Sequence, residues 1–209
     1  MAVAAIRPHQ RAVLRRLFQK LHKLGSYSRP SWSPRAATIY DEVLKTGLTP
    51  IPSLDLDQRI KAPGAMSTTG SKLQLFLDPT RNGEVLPVLG IHTSADWAHY
   101  RLYVLMFLIH ENELRCLAFR FETDEGEPGD PPGDHTFCHA QMITQLNTMQ
   151  LPVPPWLPTD QPSIPLWADD QITTTLCALV SLYGAGYVRR RLSTVAGLQD
   201  YAKRVRGLT

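Results

Sequence analysis

From Pro8 to Leu24 the apolar residues Val13, Leu14, Leu17, Phe18, Leu21 and Leu24 recur at steps of three and four, with Arg11, Arg15, Arg16, Lys20 and Lys23 on the remaining faces. That period predicts an amphipathic helix, opened by Pro8 and stopped by Gly25. A Ser/Pro/Arg-rich loop over 26–35 leads to a second short helix, Ala36–Leu44, ending near Gly47, and residues 48–71 lose all period and read as a loop.

The period then becomes two. Leu73–Leu77, Val85–Ile91, Tyr100–Ile109, Leu114–Glu122 and His135–Gln145 read as five strands, separated by turn chemistry at Asp78–Gly83 and His110–Glu113 and by the acidic, Gly/Pro-rich loop Thr123–Asp134. Leu151–Pro165 has six prolines in fifteen residues. It should run extended over the surface, because proline neither donates to a ladder nor continues a helix. Helical period returns at Asp169–Tyr183, with Asp169 as N-cap, Ile172, Leu176, Leu179, Val180 and Tyr183 as the buried stripe and Gly184 as the stop. A basic stretch, Arg189–Arg206, carries a further short helix from Gly197 onward.

These elements predict an α+β fold: an antiparallel meander of about five strands, packed on its apolar face by the N-terminal amphipathic helix and a C-terminal helix. The expected organisation is one domain over 1–209. It comprises a basic helical region (1–47), the meander (72–146), the Pro-rich segment (151–165) and a C-terminal helical region (169–206).

A two-residue turn at Glu111-Asn112 would pair Leu108 with Arg115, Val104 with Phe119, Tyr103 with Arg120 and Arg101 with Glu122. Leu102, Val104, Met106, Leu117, Phe119 and Phe121 then share an apolar face, and Arg101, Tyr103, Arg120 and Glu122 the opposite one. The last strand divides alike, with Thr136, Cys138, Ala140 and Met142 against His135, Phe137, His139 and Gln141. The polar set suits an anion or a proton transfer: Arg101, Tyr103, Arg120 and Gln141 as ligand-binding groups, Glu122, His135 and His139 as acid/base candidates. An outer sheet face turned to water has the same composition, and an Arg–Glu pair on it contributes only a few tenths to about 1 kcal/mol.

Charge adds a second candidate. The net charge of +3 hides a segregation: residues 1–40 hold eight Lys/Arg and no acid, residues 187–209 hold six against one, and the stretch between is strongly acidic. Arg11, Arg15, Arg16, Lys20 and Lys23, with Arg189, Arg190 and Arg191, could meet nucleic-acid phosphates, with Tyr27, Trp32 and Tyr40 stacking on bases. Alternatively they balance the acidic body or bind an acidic protein partner. No sequence-specific DNA- or RNA-binding signature is present, so nucleic-acid contact would be backbone-directed.

Other chemistry is disfavoured. His135 and His139 lie four apart, roughly 13 Å on a strand, too far to share one ion, so no metal site is assigned and no cofactor is implied. Cys138 and His139 face opposite ways, and Gly184-Ala185-Gly186-Tyr187 follows a helix where a phosphate loop needs a strand. Cys116, Cys138 and Cys177 give no disulfide framework. The longest apolar run, Leu102–Ile109, is eight residues, well short of a membrane span, and the N-terminus has the wrong order for a secretory signal, so a cytoplasmic setting is expected. Three function classes follow: an accessory or interaction protein whose basic ends contact nucleic acid or an acidic partner, a hydrolase- or nuclease-like enzyme on a phosphate-containing substrate, and a small-ligand binding module.

Overall fold

The computed structural model describes residues 6–48, 71–93, 100–122, 139–143, 164–166, 168, 170–205 and 208. Among these, β1 (Ser71–Phe76), β2 (Leu86–Thr93), β3 (Tyr100–His110), β4 (Glu113–Glu122), β5 (His139–Ile143) and β6 (Ile164–Pro165) form one antiparallel sheet in sequence order. The β3–β4 register has Leu108 opposite Arg115, Tyr103 opposite Arg120 and Arg101 opposite Glu122, as the two-residue turn predicts. Glu111 (φ 53°) and Asn112 (φ 63°) are both left-handed, the requirement of a type I′ hairpin turn whose twist matches its strands.

Both faces of the sheet carry helices. On one lie α1 (Pro8–Ser28) and α3 (Gln171–Tyr183), where Leu14, Leu17 and Phe18 join Leu75, Leu89, Leu102, Val104, Phe121, Ile172 and Leu176 in a single buried cluster. This is the predicted apolar face with its two predicted helices. On the other lies α2 (Pro34–Lys45), whose Ile39, Tyr40 and Val43 bury Phe76, Val88, Leu105, Phe107, Cys116 and Ala118. This second core was not expected. Alternation in β3 fails at Leu105 and Phe107, which are apolar on the nominally polar side because α2 covers them.

Several expected boundaries move. Helix α1 continues through Gly25 to Ser28. Gly25 permits a close approach: a Cβ there would overlap the Phe76 carbonyl oxygen and lie 3.0 Å from its carbon. The N-cap of α3 is Asp170, which accepts hydrogen bonds from Ile172 N and Thr173 N at 2.8 Å each, in place of Asp169. Gly184 (φ 77°) ends α3 as expected, but it is a corner: α4 (Ala185–Leu192) starts at once and contains the Arg189–Arg191 triplet. The last short helix, α5, is Gln199–Ala202. The Pro-rich segment is not excluded from the ladder, since Ile164 and Pro165 pair with Ala140 and His139 as the two-residue β6. The start of the fifth strand at His135 lies outside the described residues, as do Thr136, Phe137 and Cys138.

Asp78, just after β1, ties the sheet to the α3–α4 corner. Tyr183 donates to its backbone oxygen and Tyr187 to Oδ2, both at 2.6 Å, and the two rings stack at 4.5 Å. No helix among the described residues is long and apolar enough to cross a membrane.

Three outcomes test this packing. An alanine in an ordinary helix interior stabilises over glycine by about 1 kcal/mol, whereas Gly25→Ala is expected to destabilise by about 1–3 kcal/mol in urea unfolding, because backbone must move. Burial pushes the Cys116 thiol up to about 12 and holds the Tyr100 hydroxyl well above the usual phenol range. Folded values above unfolded ones mean stability that is complete below about pH 9 and falls as pH rises toward 12. Urea unfolding across that window should show the loss, and iodoacetamide at pH 8.5 should label Cys116 about a hundredfold more slowly in the native protein than in urea.

Candidate functional site

The first candidate is built by strand register. Beyond Leu105 the α2-side face turns polar in two rows that cross five strands: Lys72, His92, Arg101, Glu122 and His139, then Gln74, Gly90, Tyr103, Arg120 and Gln141. The next row, Phe76, Val88, Leu105, Ala118 and Ile143, is apolar. The side chains of Gln74, His92, Arg101, Tyr103 and Arg120 are half-buried, and the Nε atoms of both arginines are buried. Glu122, His139 and Gln141 belong to the rows by backbone register, and His135 lies outside the described residues.

Sequence reasoning therefore brought Arg101, Tyr103, Arg120, Glu122, His139 and Gln141 to one face correctly. It missed Lys72, Gln74, Gly90 and His92. Their signal was available in the alternation of Leu89 and Ile91 with Gly90 and His92, but the 94–99 sequence carries no two-residue turn signature from which to count register. Two guanidinium groups and an imidazole on one sheet face can hold an anion, and in the second row the Tyr103 side chain lies against Gly90, 3.4 Å from where a Cβ would stand.

The second candidate is the helical layer on the opposite face. Helices α1 and α4 are distant in sequence, yet Leu21 and Leu24 line one small cleft with Tyr187, Val188 and Leu192. Residues 6–28 and 170–205 together contain eleven Lys/Arg and two Asp. Arg16, Lys23, Arg189, Arg190 and Arg191 are exposed, and Arg11, Arg15 and Lys20 half-buried. Lys203 and Arg204, which sequence reasoning did not single out, belong to the same layer and pair with Asp200 (3.3 Å) and Asp170 (3.1 Å). Arg191 sits over the Tyr187 ring at 5.7 Å.

Two of the three aromatic residues expected to interleave with these charges, Trp32 and Tyr40, pack on each other instead. Tyr40 is buried, meets Trp32 and Phe76 edge to face and carries Arg29 over its ring at 4.0 Å. It belongs to the α2 core and cannot stack on a base. The Tyr27 side chain lies outside the description.

Asp170 is the pivot of the layer's C-terminal half. It is buried, caps α3 with Oδ1 and holds Arg204 with Oδ2. Asp170→Ala should therefore cost roughly 2–3 kcal/mol in urea unfolding, from a lost cap and a charge left without its partner. Asp170→Asn keeps the cap and should cost under half of that.

Among the described residues, no group of three or more His, Cys, Asp or Glu is arranged to hold a metal ion. No protein-family model matches the chain, and no curated protein or solved structure is similar to it.

Proposed function

We propose that the protein is a binding protein whose basic helical layer, α1 with α4 and the 196–204 stretch, engages the phosphate backbone of nucleic acid. The observation that supports this reading is the convergence of two basic helices, more than 150 residues apart, into one layer with eleven Lys/Arg and two Asp. Two further points favour it. The acidic residues described elsewhere in the chain, such as Asp41, Glu42, Glu111 and Glu113, lie on other elements, Glu42 with its own Lys45 at 2.6 Å. Exposed arginines held on helices also act over a Debye length of about 8–10 Å at physiological salt, so a linear polyanion meets several at once. Recognition is of charge and spacing, without base readout.

A second reading rests on the two registered polar rows: a hydrolase-like or ligand-binding site for a phosphate-containing small molecule, with Arg101 and Arg120 on the anion and Glu122 or His139 as acid/base. The two readings separate cleanly. Fluorescence anisotropy with a 20-mer duplex at several salt concentrations should give a strong salt slope, and the triple variant Arg16→Glu, Lys23→Glu, Arg190→Glu should bind at least about tenfold more weakly with a slope lower by about 2–3. Equal binding by the triple variant, together with turnover of a phosphorylated substrate panel that vanishes in Glu122→Gln, would sink the backbone-binding reading in favour of the second.

A further inference from the structure

A cleft of about 540 Å3 opens between the first half of α1 and the C-terminal turn, lined by His9, Ala12, Val13, Arg16, Gly197, Asp200, Tyr201 and Arg204. We infer that this cleft is a subsite for a terminal phosphate, the phosphomonoester dianion at a strand end or on a small phosphorylated molecule. The inference deepens the backbone-binding reading and rests on it for the strand-end source.

Both arginines are fixed before any ligand arrives. Arg16 donates from Nε to the Ala196 carbonyl at 3.0 Å, and Arg204 donates from Nη1 to Asp170 at 3.1 Å and stacks on the Tyr201 ring at 4.8 Å. A guanidinium already held by the protein loses less rotamer freedom when it meets an anion. The floor is kept close by Gly197 (φ 80°), where a Cβ would lie 3.0 Å from Val13 Cγ2 and 3.4 Å from an Arg16 Nη. Ala12, Val13 and the buried Tyr201 make that floor apolar, which strengthens the field of the two cations above it.

Charge and shape select the ligand class. His9 and Arg16 line the cleft from α1 and Arg204 from the C-terminal turn, so an anion in it meets cationic residues of both elements. A dianion gains from both guanidinium groups, that of Arg204 reduced by its own pair with Asp170. Asp200 opposes this from the rim, but its side chain is 79% exposed and shared with Lys203, so its effect is screened.

Phenyl phosphate titrated into the full chain should shift the amide resonances of Gly197 and Tyr201 in 1H–15N spectra, and a 5′-phosphorylated 12-mer should bind at least about threefold more tightly than its 5′-hydroxyl twin. Ala12→Phe fills the cleft without removing a charge, and should abolish both effects. Asp200→Asn, at an exposed position, should raise phenyl phosphate affinity about two- to threefold. A 5′-phosphate preference that survives Ala12→Phe overturns the subsite, as does strand binding with no shift at Gly197 or Tyr201. Phenyl phosphate shifts with no strand binding would support the subsite, identify its ligand as a small phosphorylated molecule and refute the backbone-binding reading.

Discussion

The turn at Glu111-Asn112 is the constraint on which the other features depend. Two consecutive residues with positive φ close the β3–β4 hairpin, and ten pairs from Arg101–Glu122 to His110–Glu113 follow in strict alternation. One residue more or fewer would exchange the two faces of β4 relative to β3, setting Arg120 toward α1 and Phe121 toward the polar rows. That the turn uses a glutamate where glycine or asparagine is usual means its left-handed geometry is imposed by the hairpin, at a backbone cost of roughly 1 kcal/mol. The two cores repay this many times over.

Given that register, the molecule sorts its chemistry by layer. The α1–α3 face buries the larger cluster and carries the basic helices on its outside. The α2 face buries the smaller one and leaves the polar rows at the far end of the strands. A sheet between them keeps the two arginine-bearing regions apart. Among the described residues, acids such as Glu42, Glu111 and Glu113 lie on other elements, and Arg204–Asp170 and Lys203–Asp200 are close contacts within the basic layer.

Much of this could be read from the residues. Periods of 3.6 in Val13–Leu21 and of two in Leu102–Phe121 reflect burial on one face, and burial is what the fold conserves energetically. Helix α2 as a second cover was hidden because its residues Ile39, Tyr40 and Val43 announce a buried face without naming the surface they bury. Gly25 misled for a physical reason: glycine serves both helix stops and close approaches, and only the position of Phe76, fifty-one residues on, distinguishes them. Tyr40 looked like a stacking residue beside Arg29 and Arg35, yet aromatic rings near arginines are found equally in cores with a cation on top. His9, Tyr201 and Arg204 were invisible as a group because their meeting depends on how the 196–204 turn folds back on α1, which no local period encodes.

The corner at Gly184 has a mechanical meaning. Helix α4 leaves it as a short rod of eight residues, and its first turn is clamped where Tyr183 and Tyr187 converge on Asp78. Three consecutive arginines on the rod are thereby oriented by a carboxylate at the end of β1, more than a hundred residues away in sequence. Folding sets the backbone that carries them, while the three exposed side chains, about 100° apart around the helix axis, fan out over more than half of its circumference.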